Sequence, residues 1–228
     1  MISWVKRPTW DLALGCDFST GAARDRSQYA NTLTLANGAT VTDVLVLDGT
    51  NDMLTAPDGL GLDLPGAFTV SAWVEPSSPG SSVRGIAGRY LASGTSRSWY
   101  FAWRYDLAGT PVQGTVYLDG GSTNVADYQF ATTLPTSGWH HAAMVFDSSA
   151  SAGSRIRAFI DGVEITVSTI GREAAYTPFD TGLITTIGAI GSVASPVGQW
   201  KGNMGPVAIF RRALSAQEIH GIYVEGRS

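Results

Sequence analysis

Residues 68–74 read Phe68-Thr69-Val70-Ser71-Ala72-Trp73-Val74. Phe68, Val70, Ala72 and Val74 fall at every second position, so an extended backbone sets them on one face. This is the pattern of a strand that packs on one side only. It recurs outward in both directions along the chain. Trp139 to Phe146 is a dense half-buried run. In Arg155-Ile156-Arg157-Ala158-Phe159-Ile160, the Ile156, Ala158 and Ile160 side chains face inward, and Arg155, Arg157 and Phe159 outward. Thr115-Val116-Tyr117-Leu118 alternates likewise. Further strands are expected at 12–18, 43–47, 84–91, 99–105, 126–133, 163–168, 183–188 and 203–211. Ser/Gly/Pro-rich stretches at 76–82, 92–98, 119–124, 148–154 and 191–198 separate them and read as loops inside one domain. Many short strands with frequent turns predict an all-β fold of two antiparallel sheets.

Composition agrees. The 228 residues suit one large β-sandwich, and such a chain buries a sizeable core without disulfides. Charged residues make up 15%, against about 25% in a typical domain. The net charge of −4 leaves no basic field to hold a phosphate backbone, so nucleic acid is not an expected partner. Cys16 is the single cysteine. It rules out an internal disulfide and any CxxC motif, and it reads as a small buried apolar residue on the first strand. The opening MISWVKRPTWDLALGCDF has no apolar segment of signal-peptide length, and Met1 reads as a natural start. No 18-residue apolar run occurs, so membrane insertion is not expected. One helix is predicted near the C-terminus. Ser215 and Glu218 are spaced as a capping box, and Ile219, Ile222 and Tyr223 follow on one helical face.

Several segments, in order, resemble the laminin G-like domains of the concanavalin A-like lectin/glucanase superfamily. Leu14-Gly15-Cys16-Asp17-Phe18 resembles their opening strand. Val46-Leu47-Asp48-Gly49-Thr50-Asn51-Asp52 is similar to the FDGxxD turn, and Phe68 to Val74 to FTISAWV. Gly138-Trp139-His140-His141-Ala142-Ala143-Met144-Val145-Phe146 resembles GxWHHVAxxx, and Phe159-Ile160-Asp161-Gly162 resembles YVDG. Trp200 to Met204, with Val207 to Ile219, is similar to the closing FxGxIDEVRIYNRALSxxEI. The resemblance covers roughly residues 12–224 and implies a jelly-roll sandwich over 11–228, with residues 1–10 as an N-terminal arm. One departure stands out: the family's IDE is Met204-Gly205-Pro206 here, and a proline in a strand marks an edge or a bulge. Related domains often hold Ca²⁺ near the first turn, which makes Asp48 and Asp52 the candidate ligands. Loss of the later Asp to Gly205 counts against the ion. The residues themselves fit equally an Asp-Gly turn closed by side-chain-to-backbone hydrogen bonds.

Catalytic patterns are missing. Glycoside hydrolysis generally needs two carboxylates about 5–10 Å apart, which glucanases of this fold carry as an ExDxE-type run. Glu75, Glu164 and Glu173 each stand outside such a run. There is no GxSxG, HExxH or P-loop. His141 alternates with Trp139, and the resemblance makes it a structural, hydrogen-bonded residue.

A binding face is the remaining expectation. In Trp99-Tyr100-Phe101-Ala102-Trp103-Arg104-Tyr105, the larger apolar set goes to the core, leaving Tyr100 and Arg104 outward. Tyr117, Arg157 and Phe159 face outward from their own strands. If these strands are neighbours, they form an aromatic and Arg-bearing surface. Tyr128 joins from the loop at 119–128. The bland alternative is an ordinary solvated sheet face. The expected function is a non-catalytic recognition or adhesion module for a glycan or cell-surface polysaccharide. The expected setting is a virion surface, as a capsid decoration or tail-associated protein, forming a homo-oligomer and docking capsid or tail proteins through the arm with Trp4, Lys6, Arg7 and Trp10. The alternative is an extracellular carbohydrate-binding module of a bacterial surface protein, and a hydrolase comes last.

Overall fold

The computed structural model describes residues 11–59, 61–64, 66–77, 82–91, 96–107, 112–117, 125–133, 135–173 and 182–227. The proposed arm, residues 1–10, lies outside the described residues, as do 92–95 of the loop at 92–98 and 119–124 of the loop at 119–128.

The strands run in chain order as follows. β1 is Leu12–Asp17, β2 Arg24–Asp25, β3 Thr34–Ala36, β4 Thr40–Val41, β5 Leu45–Asp48, β6 Met53–Ala56 and β7 Ala67–Pro76. β8 is Val83–Tyr90, β9 Arg97–Arg104, β10 Val112–Tyr117, β11 Val125–Phe130 and β12 His140–Asp147. β13 is Ile156–Ile160, β14 Val163–Ile165, β15 Val167–Arg172 and β16 Thr185–Ile187, with β17 Ile190–Ser192, β18 Ser195–Val197 and β19 Lys201–Phe210 completing the set. One helix, α1, spans Ala216–Gly226.

Two antiparallel sheets form the expected jelly-roll sandwich. The nine-stranded sheet runs β14-β13-β12-β7-β19-β1-β2, with β5 pairing β19 and β4 pairing β5. The eight-stranded sheet runs β15-β11-β10-β9-β8-β16-β6-β3. Phe68, Val70, Ala72 and Val74 all enter the main core, where they meet Trp99, Phe101 and Trp103 of the opposite sheet. Phe68 and Trp99 bring their rings to 5.4 Å. Pro206 sits at a bulge, since the register of β19 slips between Met204 and Val207. That removes the need for a ladder N–H there and lets proline occupy a central strand.

The expected strand at 163–168 divides. β14 belongs to the first sheet and β15 to the second, so the chain changes sheets at Thr166. This separates the proposed surface residues. Tyr100, Arg104 and Tyr117 stand on β9 and β10, whereas Arg157 and Phe159 stand on β13 of the other sheet. Arg157 and Phe159 therefore form no common surface with the first three.

Alternation was right for Phe159 in that it points away from the main core. It is nonetheless 0% exposed, because α1 covers that face. Phe159 packs in a second apolar cluster with Leu12, Ala143, Val145, Phe210, Leu214, Ile219 and Ile222. Arg157 lies over the Phe159 ring and donates from Nη2 to the Leu214 carbonyl at 2.9 Å. Tyr128 is also a correction. It lies on β11, not in a loop, and its inward phase with Ala126 and Phe130 buries it completely.

The capping box is present: Ser215 Oγ accepts from Glu218 N, and Glu218 Oε2 accepts from Ser215 N at 2.8 Å. Arg212 pairs with Glu218 at 2.7 Å, and this hydrogen bond holds the Glu218 carboxyl down to about 2. Ile219 and Ile222 face the sheet, and Tyr223 stacks on Trp73 at 5.8 Å.

Candidate functional site

The outer face of the eight-stranded sheet is built from strand register. Gly88 pairs with Tyr100, Tyr100 with Thr115, Thr115 with Asp127, and Asp127 with Arg172. These five residues form one row across β8, β9, β10, β11 and β15, and all point away from the core because residues of one cross-strand row share a face. On one side of this row stand Ala102, Gln113, Gln129 and Thr169. On the other, Tyr90 pairs with Arg97 and Tyr117 with Val125.

A shallow cavity of about 280 Å³ opens over this face, lined by Tyr100, Thr115, Tyr117, Val125, Asp127, Gly171 and Arg172. Tyr90, Tyr100 and Tyr117 form an aromatic cluster, with ring centroids 5.5, 5.7 and 6.4 Å apart. The Arg97 guanidinium lies over both Tyr90 and Tyr117, at 5.5 and 5.7 Å, within cation–π range. Burial pushes the Tyr100 phenol up to about 12 and raises Tyr117 well above its ordinary value, so both stay protonated at neutral pH.

A polar chain organises the floor. Arg104 holds Asp106 through Nε and Nη2, each at 2.8 Å, and also reaches the Gln113 side-chain carbonyl. Hydrogen bonding to Arg104 keeps the Asp106 carboxyl below its ordinary range. Gln113 Nε2 donates to Asp127 Oδ1 at 2.7 Å, and the Thr115 hydroxyl donates to the same oxygen at 2.8 Å.

The β17–β18 hairpin bounds the face over β8. A Cβ on Gly85 would lie 3.0 Å from the Ala189 and Gly198 backbones, and one on Gly88 would lie 3.0 Å from Ile190 Cγ2. The two glycines are what let this hairpin lie against the sheet.

Thus the structure brings together Tyr100, Arg104 and Tyr117 and leaves Tyr128, Arg157 and Phe159 out. Sequence reasoning missed Tyr90, Arg97, Gln113, Thr115, Asp127 and Arg172. Thr115 lay within reach, since it shares the phase of Tyr117 on an alternating strand. Asp127 and Arg172 needed the pairing of β11 with β10 and β15, which is non-local.

The turn holding Asp48 and Asp52 is closed by its own side chains. Asp52 Oδ2 accepts from Asp48 N at 3.0 Å, and Asp48 Oδ1 from Thr50 N at 2.7 Å. Burial raises the Asp52 carboxyl above its ordinary value. Among the described residues no group of three or more His, Cys, Asp or Glu gathers to hold a metal. Two carboxylates engaged in this way do not fit the six to eight oxygens that Ca²⁺ typically takes.

His141 lies beneath α1, with Nε2 2.8 Å from Ser71 Oγ. Both residues are buried, between Trp73 and Tyr223. Burial lowers the His141 imidazole to about 4. A serine and a histidine so enclosed cannot meet a substrate, and the pair serves packing. Among the described residues lining the groove, Asp127 is the one carboxylate.

Residues 48–220 match the family described as the concanavalin A-like lectin/glucanases superfamily. No curated protein matches the chain. Among solved structures, it is similar to domain 4 of AbnA, a GH43 extracellular arabinanase from Geobacillus stearothermophilus, in complex with arabinotriose. That likeness has 18% identity and a TM-score of 0.67, and it covers 95% of this chain and 100% of the other. It is also similar to the binding domain of Paraclostridial Mosquitocidal Protein 1, with 12% identity, a TM-score of 0.66 and coverage of 93% and 52%. A third is the binding domain of Botulinum Neurotoxin DC in complex with SialylT, with 10% identity, a TM-score of 0.68 and coverage of 95% and 52%. The chain spans about half the length of the two toxin binding domains. At these identities the likeness is one of fold.

Proposed function

Because the chain belongs to the concanavalin A-like lectin/glucanases superfamily, we propose that it is a non-catalytic recognition module that binds a glycan on the outer face of its eight-stranded sheet. The observation that carries this is the open row of Tyr100, Thr115, Asp127 and Arg172 beside the Tyr90–Tyr117 aromatic pair. Aromatic faces beside a few fixed polar groups in a shallow depression are the usual means of holding a sugar ring. Two fold neighbours were solved with bound saccharide-type ligands, arabinotriose and SialylT, which supports the same chemistry here. Among the described residues a single carboxylate lines the groove, which supports binding over hydrolysis, since most glycosidases use a pair.

Glycan-array binding tests the reading. Tyr117→Ala and Arg104→Ala should each abolish or sharply weaken the binding of the native chain, with thermal unfolding confirming that both variants fold. Unchanged binding in folded variants would remove this face as the site.

The finer setting we propose is display on a virion surface as a homo-oligomer, with an extracellular bacterial module as the alternative. The Trp- and Arg-bearing segment 1–10 supports it as a docking arm. Deleting residues 1–10 should abolish incorporation into particles while leaving the fold and the glycan binding intact.

A further inference from the structure

An outward sheet face is an unusual place for buried polar side chains, yet Gln113 is 4% exposed and Thr115 2%. Both stand on β10 with the outward phase, and both are spent on one atom. A carboxylate only accepts. Gln113 Nε2 therefore donates to Asp127 Oδ1 at 2.7 Å, and the Thr115 hydroxyl donates to the same oxygen at 2.8 Å. The Gln113 amide is fixed from its other end, where Arg104 Nη1 donates to Oε1. Turned over, the amide would set its NH₂ against a guanidinium. Arg104 is held in turn by Asp106, through Nε and Nη2 at 2.8 Å each. Asp106, Arg104 and Gln113 thus brace Asp127 from behind.

An ionised carboxylate has about two acceptor sites on each oxygen. Gln113 and Thr115 occupy Oδ1, and Oδ2 keeps its acceptor capacity. Asp127 lines the cavity, whereas Gln113 does not. Among the described residues no hydrogen-bond donor is set against Oδ2. Gly171 stands beside that oxygen, and a Cβ there would come within 3.2 Å and crowd it. An acceptor fixed before the ligand arrives loses little freedom on binding, which is how preorganisation favours affinity.

We infer that Asp127 Oδ2 accepts from a hydroxyl of the bound sugar, and that Gln113, set behind the cavity wall, is the positioning residue that aims it. The assignment deepens the reading of this groove as the glycan site and rests on it. It gives the groove one atom that touches the sugar and one buried residue that acts through that atom alone.

Exchanging the chemistry of the two side chains separates aiming from mere packing. Binding of the full chain is read on an array of immobilised glycans that includes arabinotriose and lactose, with thermal unfolding as the measure of folding. In Asp127→Asn, Gln113 and Thr115 hold the carbonyl oxygen, so the amide turns its NH₂ toward the groove. Affinity should fall about tenfold or more, the loss expected for a hydrogen bond to a charged group. Gln113→Met keeps an unbranched side chain without the donor and should cost about fivefold, since Asp127 is left less firmly held. The two losses share one atom and should not add, so Gln113→Met should weaken the Asp127→Asn variant no further. Losses that simply add overturn the positioning role.

Gln113→Glu combined with Asp127→Asn keeps a hydrogen bond between the two positions with donor and acceptor exchanged, and sets a carboxylate against Arg104. The thermal midpoint should stay close to that of the native chain, while sugar affinity stays as low as in Asp127→Asn alone. A folded exchange variant that binds as the native chain does overturns the inference, and so does unchanged affinity in Asp127→Asn. If Tyr117→Ala abolishes binding on the same array, the groove nonetheless remains the site. If Tyr117→Ala, still folded, leaves binding intact, or if the native chain binds no glycan on the array, the groove falls as the site and the inference falls with it.

Discussion

The two outer faces of the sandwich carry similar side chains and have opposite fates. On the eight-stranded sheet, Tyr100 and Tyr117 line an open groove, and Arg104 braces its floor through Gln113. On the nine-stranded sheet, Phe159 points outward in the same alternating phase and is sealed beneath α1. Strand periodicity reports which side of a sheet a residue takes. It does not report what else lies on that side. The difference is made further along the chain, by Ser215 and Glu218, which start a helix whose Ile219 and Ile222 need an apolar surface to cover.

The comparison can be broken first at Phe159. Truncating a fully buried Phe typically costs about 3–5 kcal/mol, so Phe159→Ala should lower the free energy of unfolding by that much, read as a lower urea midpoint, while any surviving folded protein keeps its glycan affinity. Next comes pH. His141 titrates near 4 in the fold, against about 6.5 in an unfolded chain. Between these values the unfolded state binds the extra proton. Stability on this account is complete above pH 6.5, falls as pH drops toward 4, and is lost by about 3 kcal/mol below that. His141→Gln should flatten this slope in urea titrations run from pH 7.5 to 4, and a slope unchanged by the substitution would assign the pH dependence elsewhere. Ser215→Ala removes the helix cap and should cost about 1 kcal/mol, read as a lower thermal midpoint. The smallest effect belongs to the Arg157–Glu164 pair, 3.6 Å apart and partly solvated. Glu164→Gln should shift stability by under about 0.5 kcal/mol, and a larger loss would mean that this rim holds the helix-covered face together.

Much of the fold was legible, for a local reason. Phe68 to Val74, Trp139 to Phe146 and Arg155 to Ile160 announce their inward sides through period two, and Ser215-Ala216-Gln217-Glu218 announces its helix through a bond between neighbours. Site residues were legible only where the same local rule sufficed. Tyr100, Arg104 and Tyr117 needed just the phase of their own strands. Tyr128 failed because it was assigned to the rim at 119–128 although the strand expected at 126–133 already contained it, and the inward phase of that strand, shared with Ala126 and Phe130, decides its fate. Arg157 failed because sheet membership depends on where the chain crosses over, at Thr166, and no local pattern marks that crossing. Asp127 and Arg172 belong to the groove through pairing with strands many residues away, so their role emerges only once register is known.

The bare backbone at Gly85 and Gly88 has a consequence for how this groove can diversify. The hairpin from Ile190 to Val197 rests on positions where a Cβ would already be tight, 3.0 Å from backbone at Gly85 and 3.0 Å from Ile190 Cγ2 at Gly88. Its footing is thereby independent of the residues at its tip, where Val193 is open to solvent and only its carbonyl is anchored, by Asn37. Such a wall can be re-lettered at Val193 and Ala194 without disturbing its foundation, whereas a single methyl group added at Gly85 would press on backbone 3.0 Å away and force that footing to give.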